Sequence, residues 1–172
     1  MTLFRIAIPL LAVSCASVSQ PQAAAVPENL RVPPGQTMLL RMVARGAQVY
    51  TCQARTGAPA VYEWVLKAPD ADLFDVRGEK IGRHFAGPTW ESADGSRVVG
   101  EVMERSAAPG AVPLLLLRAK STEGAGALAN VKYVQRLDTA GGVAPPVGCD
   151  REHAGNEARV LYSANYDFYG SR

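Results

Sequence analysis

The chain of 172 residues is 48% hydrophobic and 20% charged, and its formal charge is +2. This composition is typical of a folded globular domain and excludes an intrinsically disordered chain. The near-neutral charge argues against nucleic-acid binding, which needs a basic surface. The length suits one domain, and the many glycines (16) and prolines (12) favour turns and therefore β structure.

The first 25 residues have the pattern of an export signal. Arg5 precedes an apolar run over residues 6–13, and this run is too short to span a bilayer. We therefore predict that residues 1–25 are a signal peptide and tether, and that residues 26–172 form a single globular β domain. Export removes one basic residue and no acidic residue, so the exported domain keeps a charge of +1.

Two cleavage sites are compatible with this signal. Cleavage after Ala25, the last of three alanines, predicts a free protein that is periplasmic or secreted. Cleavage before Cys15 predicts an outer-membrane lipoprotein, because residues 12–15 resemble a lipoprotein box and the apolar run stops directly before the cysteine. In the second case a lipid on Cys15 is the only predicted attachment to a membrane.

The two cysteines outside the signal are Cys52 and Cys149. An even pair in an exported protein predicts a disulfide bond, because the compartments outside the cytoplasm are oxidising. Closing so long a loop stabilises a domain by roughly 4–5 kcal/mol in the chain-entropy description. Two free thiols are the alternative. A zinc site is less well supported, because neither cysteine has a second one nearby.

Alternation of apolar and polar residues predicts roughly eight short strands and no long helix. Residues 44–46 are predicted as a turn, residues 68–75 as a loop or one helical turn, and Asp94-Gly95 as a hairpin turn. The pattern indicates an all-β fold, either a β-sandwich or a closed barrel, with the disulfide joining the second strand to the loop before the last. The predicted strands are residues 37–43, 47–53, 62–67, 81–85, 96–105, 114–117, 130–138 and 159–169.

The stretch from His84 to Arg97 combines the least common side chains of the chain. It contains one of two histidines, one of two tryptophans, a Gly-Pro break and an Asp-Gly turn. If the domain has a concave site, we predict that it is lined by His84, Trp90, Glu91 and Asp94. Histidine titrates near neutral pH and a carboxylate can orient it, so the same residues also fit an acid–base set.

Several segments of this sequence are distinctive when taken together. They are residues 64–73, 82–91 with their His-x-x-Gly-Pro-Thr-Trp-Glu core, 94–96, 115–117, 134–142 and 162–169. Through these segments the sequence resembles a family of exported bacterial and fungal proteins, catalogued as domain of unknown function 3455, over almost all of residues 26–170. The resemblance implies export and one compact domain, and it implies no activity, cofactor or catalytic residue.

Two further motifs lack the context that their chemistry needs. Residues 124–129 match a dinucleotide-binding fingerprint, but a strand pattern follows where the fingerprint needs a helix. Asp70, Asp72 and Asp75 lack the glycine and glutamate of a calcium-binding loop. The two histidines are too far apart for a metal-ligand signature, so we predict no metal and no cofactor.

The leading hypothesis is a non-enzymatic cell-envelope domain that binds a small ligand, a glycan or lipid of the envelope, or a partner protein, and no nucleic acid. The alternative is a hydrolase or lyase of envelope material, with His84 as base and Glu91 or Asp94 orienting it. The two differ in geometry, because the enzyme needs His84 within about 3 Å of a carboxylate and open to a pocket.

Overall fold

In the computed structural model, which describes residues 25–171, eight antiparallel strands pair in sequence order. A short 3₁₀ helix at Glu28–Leu30 precedes them. Residues 1–24 of the predicted signal peptide and tether, Cys15 included, lie outside the described residues. The strands are β1 Thr37–Arg55, β2 Ala58–Phe74, β3 Lys80–Phe85, β4 Thr89–Ser92, β5 Arg97–Ser106, β6 Leu114–Glu123, β7 Val131–Gly141 and β8 Glu157–Gly170.

Pairing between the first and last strands closes the sheet into a barrel. β1 and β8 pair antiparallel from Thr37 opposite Gly170 to Thr51 opposite Glu157. Closure satisfies the backbone groups that an edge strand would leave open. The all-β prediction is confirmed, and of the two predicted arrangements the structure has the closed barrel.

Because consecutive strands run in opposite directions, the connecting segments gather at two ends of the barrel. We call one end the mouth and the opposite end the floor. The mouth carries residues 56–57, 86–88, 107–113 and 142–156, and the floor carries residues 75–79, 93–96 and 124–130.

The turn predicted at residues 44–46 is wrong, because β1 runs through these residues without a break. Gly46 pairs with Ala71 on one side and with Tyr162 on the other. A Cβ atom at Gly46 would collide with the backbone carbonyl oxygen of Asp70. Gly46 therefore lies inside β1 and lets the backbone of β2 come close. A glycine in a strand pattern can mark such a close approach as well as a turn.

The loop or helical turn predicted at residues 68–75 is also wrong, since most of it belongs to β2. Ala71 and Leu73 are buried in the barrel. Asp70 and Asp72 point outward and form ion pairs with Arg159 (2.6 Å) and Lys80 (2.6 Å). The aspartates are thus the polar half of an alternating strand, and their charges are paired across the sheet.

The barrel interior is filled by side chains over most of its length. Leu128, from the segment between β6 and β7, is fully buried and closes the floor. Gly100 on β5 leaves room for the Trp90 indole, because a Cβ atom there would lie 2.9 Å from its ring. The interior cluster also contains Met42, Ala44, Ala71, Leu73, Val98, Val112, Leu115, Leu117, Val131, Val134, Tyr162, Ala164, Tyr166 and Phe168.

Simple alternation along residues 130–138 would place Tyr133, Gln135 and Leu137 on one face with Val131, but a bulge interrupts it. The pairing of β7 with β8 shifts register between Val131 and Tyr133. The inward positions after the shift are therefore Val134 and Arg136. Gln135 is buried on the outer side instead, where its amide donates to the carbonyl oxygen of Leu30 (2.6 Å).

Candidate functional site

His84 lies inside the barrel, on β3. Its side chain is 2% exposed and stacks on the Trp90 indole, with ring centroids 4.5 Å apart and planes 11° apart. The edge of Tyr166 meets both rings at centroid distances of 5.0 and 5.1 Å. The strand pairing explains this cluster, because His84 on β3 is directly opposite Trp90 on β4.

The His84 imidazole is neutral. Its Nδ1 lies 2.8 Å from the carbonyl oxygen of Thr89. A carbonyl only accepts, so Nδ1 carries the proton and Nε2 is left as an acceptor. Burial lowers the pKa of His84 from 6.5 to about 3, although the hydrogen bond to Thr89 acts in the opposite direction.

The two acidic residues of the predicted site lie elsewhere. Glu91 is on the outer face of β4, where it accepts hydrogen bonds from Arg83 (2.9 Å) and Arg97 (2.6 Å). The hydrogen bond from Arg97 is the main reason that the pKa of Glu91 is lowered. Because side chains alternate along a strand, Glu91 points away from the interior that holds Trp90.

Asp94 is at the floor, at the turn between β4 and β5. Its carboxylate accepts from the Ser96 hydroxyl (2.6 Å) and from the backbone N–H of Ala127 (2.8 Å). The Ser96 hydroxyl in turn accepts from the N–H of Leu128 (3.1 Å). These bonds lower the pKa of Asp94 to about 2, the one from Ser96 most. Asp94 therefore ties the turn to the segment that closes the floor.

The structure thus brings two of the four predicted site residues together and separates the other two from them. His84 and Trp90 are in contact inside the barrel, whereas Glu91 and Asp94 serve the outer face and the floor. Neither carboxylate is positioned to orient the imidazole of His84. The stretch from His84 to Arg97 therefore contributes His84 and Trp90 to a buried aromatic cluster below a cavity.

The cavity opens at the mouth of the barrel and has a volume of about 360 Å³. His84 lines it together with groups that the sequence did not single out. Clefts of this volume are at the lower end of the range for small-molecule sites. The lining residues are Gln48, Tyr50, Leu66, Lys67, Ala68, Pro69, His84, Gly87, Pro88, Val102, Arg105, Val112, Pro113, Leu115 and Arg136.

Two polar side chains inside the cavity were missed by sequence reasoning. Gln48 is 1% exposed, and its Nε2 has no hydrogen-bond partner among the described residues. Arg136 is half-buried, and its Nε donates to the carbonyl oxygen of Pro113 (2.9 Å). The available signal was a long polar side chain at an inward strand position, but finding it requires the strand register.

The disulfide bond lies near the mouth. Cys52, near the end of β1, is bonded to Cys149 in the segment between β7 and β8, which confirms the predicted bond. The backbone reinforces it, because the N–H of Cys52 donates to Asn156 and the N–H of Gly155 donates back to Cys52, both at 2.9 Å. The bond therefore fixes the longest mouth segment on the wall of the barrel.

Two negative findings apply to the described part of the chain. Residues 25–171 contain no group of three or more His, Cys, Asp or Glu side chains arranged to hold a metal ion. The same residues contain no helix with the length and apolar character needed to cross a bilayer.

Fold and cavity together define the class of this protein: a small antiparallel barrel, packed at the floor and hollow at the mouth. Among known protein families, residues 33–170 match the family described as Protein of unknown function (DUF3455), and the chain belongs to that family. The match includes all eight strands, and it confirms the resemblance found in the sequence. No curated protein and no solved structure gave a match.

The low pKa of His84 leads to a prediction about stability. Below pH 6.5 the unfolded chain binds a proton at this residue, while the folded protein does not until about pH 3. The contribution of neutral, buried His84 to the free energy of unfolding is therefore fully present above pH 6.5, and it is lost as the pH falls towards 3. Between pH 7 and pH 5 we expect His84 to reduce the free energy of unfolding by roughly 2 kcal/mol, measured by urea titration.

His84→Gln is the matched control, because a glutamine amide can still donate to the Thr89 carbonyl. The variant keeps His153 and the carboxylates, so only the contribution of His84 is removed. We expect the free energy of unfolding of the variant to change less between the two pH values. An equal loss in both proteins would mean that His84 titrates normally in the folded state.

Proposed function

We propose that this protein is a non-enzymatic, exported domain that binds a small molecule in the mouth cavity of its barrel. The observation that carries the proposal is a cavity of about 360 Å³ inside a closed barrel, with Gln48 buried in its wall. The Nε2 of Gln48 has no hydrogen-bond partner among residues 25–171. Buried polar groups without a partner are uncommon in folded proteins. A ligand that accepts a hydrogen bond would satisfy this one.

The composition of the cavity wall supports binding of a small molecule with an apolar part. Small closed barrels either fill their interior with side chains or leave room for one ligand. Here the aromatic cluster of His84, Trp90 and Tyr166 fills the interior below the cavity. Above it, a mainly apolar wall with a few polar groups has the composition of a ligand site. The larger apolar and aromatic side chains of the lining are Tyr50, Leu66, Val102, Val112 and Leu115, and the smaller ones are Ala68, Pro69, Pro88 and Pro113.

Export is part of the proposal, with the protein free or lipid-anchored in the cell envelope or secreted. The disulfide between Cys52 and Cys149 supports it, because such bonds persist in oxidising compartments. The apolar segment at residues 6–13 supports it independently.

The alternative of a hydrolase or lyase gains no support from this geometry. A general base needs an orienting group and access to substrate. His84 has a backbone carbonyl as its partner, while Glu91 and Asp94 are occupied on other parts of the barrel. We therefore do not extend the proposal to catalysis.

A titration of the purified protein with octanoate, octanamide and octylamine tests the proposed function. These probes share an apolar chain that fits the wall and differ in the head group. We expect at least one to bind by calorimetry, and Val102→Trp to weaken that binding by about tenfold or more, because the indole fills the cavity.

The matched control is Val61→Trp, which adds the same side chain to an exposed position on β2 outside the cavity wall. This variant should bind like the unmodified protein. Absence of binding by all three probes would overturn the proposal. So would equal binding by the Val102→Trp and Val61→Trp variants, because the ligand would then sit outside the cavity.

A further inference from the structure

Building on the proposed function, we infer that the cavity selects an amphipathic organic anion. The acid group of the ligand is held by Arg136 and Gln48, and its apolar body lies against the aliphatic and aromatic wall. The inference concerns the chemical class of the ligand, and it rests on charge, burial and hydrogen bonding inside the mouth.

The charged residues of the cavity wall are all basic. Lys67, Arg105 and Arg136 line the cavity, and none of its lining residues is an aspartate or glutamate. Lys67 is paired with Glu157 outside the cavity. Within residues 25–171, Arg105 and Arg136 take part in none of the ion pairs found. The cavity thus carries positive charge that no acidic residue in the described part of the chain pairs with.

The charge of Arg136 acts on the groups around it. Burial is the largest influence on four nearby groups: it raises the pKa values of Tyr50, Tyr162 and Tyr166 and lowers that of His84. The positive charge of Arg136 has a smaller effect, and it lowers all four pKa values. The Tyr166 hydroxyl lies close to Arg136 and to Tyr162, but within residues 25–171 it forms no hydrogen bond of ordinary geometry. The half-buried cation therefore lies beside aromatic and neutral polar groups, with no acidic partner among residues 25–171. Partial burial of a charge without a counter-ion is unfavourable.

A ligand carboxylate supplies the missing counter-charge. With Nε occupied by Pro113, the two terminal nitrogens of Arg136 remain as donors, and a guanidinium can bind two carboxylate oxygens side by side. Gln48 adds the unpartnered amide described above. Two kinds of donor, one charged and one neutral, thus line the same cavity, while the apolar residues around them suit a hydrocarbon or aromatic body.

The test compares octanoate with octanamide, which differ in charge and hardly in size. We expect octanoate to bind the unmodified protein roughly 10–100-fold more tightly than octanamide, because hydrogen bonds between charged groups are stronger than those of a neutral amide. In Arg136→Gln this preference should disappear, through weaker binding of octanoate and nearly unchanged binding of octanamide. Calorimetry at fixed ionic strength measures both affinities.

Arg136→Gln also removes a bond to Pro113, so its folding is checked by circular dichroism and thermal unfolding. Gln48→Leu is the second variant, because the Nε2 of Gln48 has no hydrogen bond to lose within residues 25–171. It should remain folded and lose several-fold in octanoate affinity. Arg118→Gln, which changes an arginine paired with Glu101 on the outer face, is the matched charge control and should bind normally.

The outcomes separate the two proposals. If octanamide binds as tightly as octanoate and Val102→Trp blocks both, the cavity is a ligand site but the anion inference is wrong. If octanoate keeps its preference in both Arg136→Gln and Gln48→Leu, another group holds the acid and the inference is overturned. If no probe binds, both proposals fail.

Discussion

Replacing Trp90 with alanine is expected to lower the free energy of unfolding by about 3–5 kcal/mol, the range for large-to-small changes of buried aromatic residues. Trp90 is 1% exposed and contacts the rings of His84, Tyr166 and Phe168. Its Nε1 has no hydrogen-bond partner in the part of the chain that the structure describes, so the expected loss comes from burial and packing. Because β strands hold the surrounding side chains in place, the space left by the indole cannot fully collapse.

Urea unfolding followed by circular dichroism measures this loss. Trp90→Phe should cost considerably less, since it keeps a ring against His84 and removes a buried donor that makes no bond. Trp64→Ala is the control for tryptophan in general: Trp64 is only half-buried and donates to Val147 at the mouth. Equal losses for Trp64→Ala and Trp90→Ala would contradict a central packing role for Trp90.

Much of the barrel could be predicted from the sequence, because most strands show their alternation directly. In β8 the alternation places Val160, Tyr162, Ala164, Tyr166 and Phe168 on one face, and all of them except the half-buried Val160 are buried. The failures at residues 44–46 and 68–75 have one cause. Glycine and aspartate usually mark turns. Here the glycine, Gly46, lets β2 pack closely against β1, and the aspartates, Asp70 and Asp72, form ion pairs across the sheet.

The candidate site was predicted less well, because its composition depends on which way side chains point. His84 and Trp90 were singled out as uncommon residues, and they do lie together. Gln48 follows the alternation of Met42 and Ala44 along β1, but the turn predicted at residues 44–46 interrupted that pattern. Arg136 could not be assigned to the interior, because the pairing of β7 with β8 shifts register between Val131 and Tyr133. A shift of one residue exchanges the inner and outer faces, and sequence alternation alone does not locate it.

The double variant Cys52→Ala/Cys149→Ala is expected to lose about 4–5 kcal/mol of unfolding free energy, because the bond links residues far apart in sequence. The sequence separation is 97, so the unfolded chain gains much conformational freedom when the bond is absent. The mouth should loosen as well. Tyr50, which lines the cavity, donates from its hydroxyl to the Gly142 carbonyl (2.6 Å) in the segment that the disulfide fixes.

Urea unfolding of the oxidised protein, the reduced protein and the cysteine variants measures this effect. Either single alanine variant should lose nearly as much as the double variant, because each removes the same bond. Reduction of the unmodified protein should match them, and the dependence on urea should steepen, because an uncrosslinked chain exposes more surface on unfolding. Unchanged stability after reduction would show that the barrel closes without help from the bond. In that case the pairing of β1 with β8 alone would hold the mouth segment in place.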